Sequence, residues 1–179
     1  QLVVPAGVAG VERTVTLDRP SRVSIRIEPM PSWLDHASLR LEAPHPIDAV
    51  ASRVVGEAGI DREGLAAFGE VQPGTHRGTL SAVVDGWKVA WGLGDVHLRS
   101  GDHHDRLFLP PLYRTELLHG AGELWIQGVG PTRVVASWTS VPREPGSVWT
   151  PGLPAGEYEI RQGGKRVTTT LPTEVVILR

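Results

Sequence analysis

Along most of this chain, apolar and polar side chains alternate with a period of two. Prolines and glycines break the alternation every eight to twelve residues or so. Val23, Ile25 and Ile27 alternate with Arg22, Ser24, Arg26 and Glu28, and Leu39 and Leu41 alternate with Ser38, Arg40 and Glu42. The same pattern runs through Leu80, Ala82 and Val84, then Trp87, Val89 and Trp91. It returns at Leu124 and Ile126, at Val134, Ala136 and Trp138, at Tyr158 and Ile160, and at Val167, Thr169 and Leu171. Near the start, Val11, Val15 and Leu17 share one face, with Arg13 the exception. A period of two sends successive side chains to opposite faces of a pleated strand, so each run reads as a short, half-buried strand. The expected fold is all-β, a jelly-roll-like β-sandwich of about a dozen short antiparallel strands. The 179 residues are read as a single β-sandwich domain, 1–179.

Two hairpins follow from the turn chemistry. Asp85-Gly86 and Gly163-Gly164 each sit as a two-residue loop between alternating runs, as a type I′ turn requires. The chain has no Asn, so glycine and aspartate must fill the positive-φ positions. One stretch, Ile60 to Phe68, reads as a helical turn or two, with Asp61 as N-cap and Leu65 and Phe68 three residues apart. It would lie within a long connection from Gly56 to Gly78. Val141 to Pro154 reads as a Pro/Gly-rich loop, and no internal repeat of propeller or solenoid length is visible.

Composition narrows the function classes. The net charge of −2 offers no basic footprint, so no nucleic acid is expected as a partner. No apolar run approaches the ~20 residues of a membrane span, although proximity to a membrane stays open. The chain opens on Gln1 without a secretory signal, as a processed start would. Zero cysteine excludes disulfides and thiolate sites. One Met, no Asn and 15 prolines fit a protein that works hot, and equally a GC-rich genome.

The most chemical-looking stretch is Val96 to Arg106, with His97, Asp102, His103, His104 and Asp105. Imidazole and carboxylate together suit a transition metal, which would make the chain a small metal-dependent β-barrel enzyme. The spacing argues for a polar loop instead, because His103 and His104 point to opposite faces of an extended backbone. Ser100, Asp102 and His103 are neighbours in sequence, which is not how a catalytic triad is assembled. Neither Gly92-Leu93-Gly94 nor Gly128-Val129-Gly130 precedes a helix that could hold a phosphate. No catalytic residue, metal or cofactor is assigned, and no catalysis is expected.

Tryptophan is the compositional excess, six against two Tyr and two Phe. Trp87 and Trp91 share the face of Val89, whereas Trp125 lies opposite Leu124 and Ile126. If exposed, the three would form a sugar-stacking platform, as in a carbohydrate-binding module of a secreted enzyme. If buried, they fill core or subunit-interface volume. Leu107-Phe108-Leu109, Val134-Val135 and Val175 to Leu178 are apolar on both faces, which suggests burial on both sides, some of it against a neighbouring subunit.

The run Leu107 to Trp138 resembles the closing strands of small β-sandwich proteins of phage virions. It has an apolar strand, Pro110-Pro111, an amphipathic strand, Gly120-Ala121-Gly122, the Leu124-Trp125-Ile126 strand, a Gly130-Pro131 turn and a last strand ending in Trp138. With the size and heat-adapted composition, the chain is similar in kind to single-jelly-roll capsid proteins of tail-less, membrane-containing phages of thermophilic bacteria. That resemblance implies a structural virion protein that forms a homo-oligomer and meets a second capsid protein.

Overall fold

The computed structural model describes residues 21–34, 36–44, 52–140 and 142–178. The alternation at Val11, Val15 and Leu17 lies outside the described residues. The described residues form sixteen strands and no helix. They are β1 (Ser21–Glu28), β2 (Ser38–Pro44), β3 (Ser52–Gly59), β4 (Leu65–Val71), β5 (Gly74–Val84), β6 (Trp87–Leu98) and β7 (His103–Phe108). Then come β8 (Leu112–Tyr113), β9 (Glu116–His119), β10 (Leu124–Gly128), β11 (Val134–Trp138) and β12 (Gly146–Trp149). The last are β13 (Leu153–Pro154), β14 (Gly156–Gln162), β15 (Lys165–Leu171) and β16 (Val175–Ile177). The all-β sandwich expected from the alternation is what the chain forms.

One eight-stranded sheet, ordered β15-β14-β10-β11-β6-β5-β2-β3, is the backbone of the molecule. Two three-stranded sheets, β4-β1-β7 and β12-β9-β16, and the short pair β13-β8 complete the fold. The order hides a repeat. Strands β1 to β7 form β4-β1-β7 and β3-β2-β5-β6. Numbering β9, β10, β11, β12, β14, β15 and β16 as a second set of seven gives the same two sheets in the same order. In each set the first and last strands, β1 with β7 and β9 with β16, pair in parallel. The two sets meet edge to edge through β6 and β11, from Trp87↔Trp138 to Trp91↔Val134.

The alternation explains this layering. One face of the large sheet carries Leu39, Leu41, Leu80, Trp87, Val89, Trp91, Leu124, Ile126, Ala136, Tyr158 and Ile160, all buried. Val23, Ile25 and Ile27 do the same for β1. Close approach is made possible by glycine at Gly78, where a Cβ would stand 2.6 Å from Leu107 Cδ1. Both expected hairpins form. Asp85 and Gly86 have φ of 47° and 83°, and Gly163 and Gly164 have 50° and 87°. Positive φ at both central residues is the I′ signature, matched to the strand twist.

Two expectations are corrected. The stretch from Gly56 to Gly78 is neither helical nor a long connection; it holds the end of β3, a tight turn, all of β4 and the start of β5. Asp61 Oδ1 accepts from the backbone N–H of Glu63 at 2.9 Å and of Leu65 at 2.8 Å, and Gly64 has φ of 81°. The aspartate thus closes a hairpin rather than capping a helix. Ala66 and Phe68 are both buried, a period of two that the three-residue spacing of Leu65 and Phe68 obscures. The second correction concerns strands apolar on both sides. Leu107, Leu109, Val134, Val176 and Leu178 are buried, but Phe108, Val135, Val175 and Ile177 face outward. Within 141–154, β12 and β13 add short strands to the loop.

Candidate interaction surface

The tryptophans divide by strand face. Trp87 and Trp91 are 0% and 1% exposed, on the inner face of β6. Their indole N–H groups donate to Trp149 O at 2.9 Å and to Gly152 O at 2.8 Å. Strand β6 belongs to the first set, and Trp149 and Gly152 to the second or its flanking segment. The two side chains therefore tie one set to the other, and neither offers a ring to a sugar. Trp138 packs edge-on against Trp87, with centroids 5.0 Å apart. Trp125 is half-buried on the outer face, with the Arg161 guanidinium 4.9 Å from its ring centroid. A coplanar platform of Trp87, Trp91 and Trp125 does not exist, because Trp125 lies on the opposite face of the sheet from the other two.

The histidine-rich stretch is not the polar loop its spacing suggested: His97 lies in β6 and His103, His104 and Asp105 in β7, where alternation sends His103 and His104 to opposite faces. His97 Nδ1 lies 2.9 Å from Thr75 Oγ1 on one strand pair. His103 Nε2 lies 3.8 Å from Asp105 Oδ2. His104, on the other face of β7, contacts Ser24 of β1, its register partner. Among the described residues no group of three or more His, Asp or Glu stands close enough to hold a metal. Arg22, Ser24, Arg26, Glu28, His104, Arg106 and the exposed Phe108 share the outer face of β4-β1-β7, and Arg106 pairs with Glu28 at 3.5 Å, so the first set turns a mixed, mostly polar face to solvent.

The corresponding face of the second set is different. In β12-β9-β16, Leu117 and Val176 point inward and are buried. Their neighbours Glu116, Leu118, Val175 and Ile177 therefore point outward, and the register sets Leu118 beside Ile177 and Glu116 beside Val175. Strand β12 adds Trp149 beside Glu116 and Ser147 beside Leu118. Trp149 is 52% exposed, Ile177 44%, Val175 43% and Leu118 38%. Four large apolar side chains thus surround one carboxylate on a single small sheet. Buried threonines fix this sheet in place. Thr115 N donates to Thr150 Oγ1 at 3.0 Å, Thr150 N to Thr115 O at 2.9 Å, and Thr115 Oγ1 to Thr173 O at 2.9 Å. Contiguous exposed apolar side chains of this kind mark contact sites. The sequence showed Val175 to Leu178 as apolar on both faces. It gave no sign that Leu118 and Trp149 would join Val175 and Ile177.

No family model matches the chain, and no curated protein matches it in sequence. Among solved structures it is similar to a minor pilin of Streptococcus agalactiae, at 13% identity and a TM-score of 0.38, covering 88% of this chain and 93% of that one. It is also similar to the TIE protein of Bacillus anthracis, at 12% identity and a TM-score of 0.34, covering 88% of this chain. A streptococcal ancillary pilin follows, at 15% identity and a TM-score of 0.32, covering 93% of this chain. The chain spans 32% of the TIE protein and 64% of the ancillary pilin. Likeness this loose assigns no activity. It does fall on pilins and a cell-adhesion protein rather than on capsid proteins. This corrects the capsid, virion, bacteriophage and thermophile expectation, and the second capsid protein with it. The run Leu107 to Trp138 also misled for a physical reason. It is not a closing set of strands but the passage from the first set to the second, contributing to all four sheets.

Proposed function

We propose that this chain is a non-catalytic contact module of a secreted or surface-exposed protein, and that it associates with copies of itself. One observation carries the reading: the outer face of β12-β9-β16, where Leu118, Trp149, Val175 and Ile177 stand exposed around Glu116. The same face of the first set is mostly polar, with Phe108 its large exposed apolar side chain, so the apolar cluster belongs to one surface and not to the repeat as a whole. The tie between the sets by Trp87 and Trp91 supports the reading, because it holds that surface at a fixed position relative to the rest. A secreted or surface-exposed setting is the one to test.

The experiment is retention of the soluble chain on immobilised wild-type chain. The double variant Leu118→Glu, Ile177→Glu changes only outward side chains, so it keeps its fold and is retained less than wild type. Retention unchanged in the double variant contradicts the reading. Location is tested with an antibody on intact cells of the source organism: labelling before lysis is expected, and labelling only after lysis contradicts a surface setting.

A further inference from the structure

The junction between the two sets shows what an edge of this kind of sheet does when a strand is offered to it. In the β5–β6 hairpin, Val84 and Trp87 flank a two-residue turn and form its hydrogen-bonded pair. Alternation then turns the backbone N–H and C=O of Lys88, Ala90 and Gly92 away from β5, toward β11. Ala90 pairs with Val135, and Gly92 N donates to Arg133 O at 2.6 Å. That edge is filled from within the chain.

Strand β15 is the counterpart of β6 in the second set. Gln162 and Lys165 flank the Gly163-Gly164 turn, and the ladder with β14 runs to Gly156↔Leu171 without a bulge. By the same alternation, Arg166, Thr168 and Thr170 turn their N–H and C=O groups away from β14. Among the described residues β15 pairs with β14 alone. Its sequence, KRVTTTL, contains no Pro, no Gly and no acidic residue, and its middle is β-branched. The other outer edge, β3, carries a bulge opposite Leu41 and Glu42 together with Gly56 and Gly59. Bulges of that kind twist an edge away from pairing, whereas a flat edge invites it.

We propose that the free edge of β15 pairs, antiparallel, with the same edge of a second copy about a two-fold axis at Thr168, joining two eight-stranded sheets into one. The chemistry fits a self-pairing strand. Thr168 meets the partner's Thr168, a favourable cross-strand pair. Arg166 lies opposite the partner's Thr170 and Lys165 opposite the partner's Leu171, so no like charges face each other. Arg166 keeps its ion pair with Glu159, at 3.1 Å on its own sheet. The occupant is a second copy because the register about Thr168 is self-complementary, each cation of one strand facing a neutral side chain of the other; the internal β6–β11 pairing, which joins the sixth strand of one set to the third of the next, shows only that such an edge accepts a strand. An edge contact alone is at the small end of specific interfaces, so the dimer is reversible and concentration-dependent. This inference rests on the reading of the chain as a self-associating module and adds a second contact, separate from the apolar face of β12-β9-β16.

The test is sedimentation of the full chain across a concentration series up to the order of a millimolar. The Leu118→Glu, Ile177→Glu chain, whose apolar face is disabled, is expected to pass from monomer to dimer, and the Thr168 variants are made in that background. Thr168→Asp sets two carboxylates across the axis and should weaken dimerisation roughly tenfold or more. Thr168→Lys should do the same, and a mixture of the two variants should restore a heterodimer, a result that misfolding cannot produce. Thr168→Pro removes an N–H that β14 does not use and should also yield monomer. A Leu118→Glu, Ile177→Glu chain that stays monomeric, or a dimer that both charge variants leave intact, overturns the pairing. Leu118→Glu, Ile177→Glu lies on a different sheet and should leave this edge dimer in place, so failure here is distinguishable from failure of the apolar face.

Discussion

Replacing Trp91 by Phe tests the tie between the two sets at a single hydrogen bond. Trp91 is 1% exposed, and its indole N–H donates to Gly152 O at 2.8 Å within the interior. Phenylalanine keeps an aromatic ring but removes the donor, leaving a buried carbonyl without its partner at a cost of about 1–3 kcal/mol. The smaller ring adds an unfilled volume worth about 1 kcal/mol more. The sum is about 2–4 kcal/mol. For a chain of 150–250 residues each kcal/mol lowers Tm by about 2–4 °C, so the midpoint should fall by roughly 5–15 °C. Trp125→Phe is the control. Trp125 is half-buried beneath Arg161 and should cost no more than about 1 kcal/mol. Urea unfolding followed by circular dichroism gives both values on one scale. A Trp91→Phe penalty no larger than that of Trp125→Phe would refute the claim that β6 of the first set is hydrogen-bonded to the segment between β12 and β13.

Other consequences can be measured on the same purified protein. Burial pushes the Tyr158 phenol well above its ordinary value, and its hydroxyl donates to Pro154 O at 2.8 Å. The unfolded phenol ionises near pH 10 while the folded one stays neutral, so stability is fully present below about pH 10 and declines as pH rises beyond it. Tyr158→Phe should lose about 1 kcal/mol at neutral pH and flatten that alkaline decline, read as the urea midpoint between about pH 8 and 12. Gly86→Ala places a side chain at φ of 83° with its Cβ 3.3 Å from the Trp138 ring, and should cost about 1–2 kcal/mol by thermal unfolding. Asp61→Ala removes the acceptor for two backbone N–H groups in the β3–β4 turn and should cost about 1–2 kcal/mol in the same assay. Asp85→Asn keeps a residue that tolerates the φ of 47° but removes the charge from an exposed ion pair with Arg114 at 2.6 Å, so its cost should stay below about 1 kcal/mol and shrink with added salt.

The alternation of Val23, Ile25 and Ile27, of Trp87, Val89 and Trp91, and of Tyr158 and Ile160 was enough to establish the β-sandwich and the inner faces. Period two is a local property, and so were the two I′ turns at Asp85-Gly86 and Gly163-Gly164. The repeat of two seven-stranded sets was not legible, because it resides in strand order. The equivalent hairpins read VDGW and QGGK, with no residue but a glycine in common. Leu65 and Phe68 were misread for a similar reason. Their spacing fits a helix, and only the closure of the turn by Asp61 Oδ1 decides for a strand. The exposed face of β12-β9-β16 could be glimpsed in Val175 to Leu178, where one apolar row had to point outward. Leu118 and Trp149 lie far away in sequence and reach that face through pairing that no local pattern specifies.

The account turns on β6 and β11 forming one continuous sheet from two sets of strands, and native-state hydrogen exchange at that junction tests it most directly. The amides of Ala90 and Val135 should exchange as slowly as those of Leu80 and Ile126 deep in each set, opening only with global unfolding. Exchange at Ala90 and Val135 as fast as at the strand ends, with Leu80 and Ile126 still protected, would mean two separate sandwiches resting against each other.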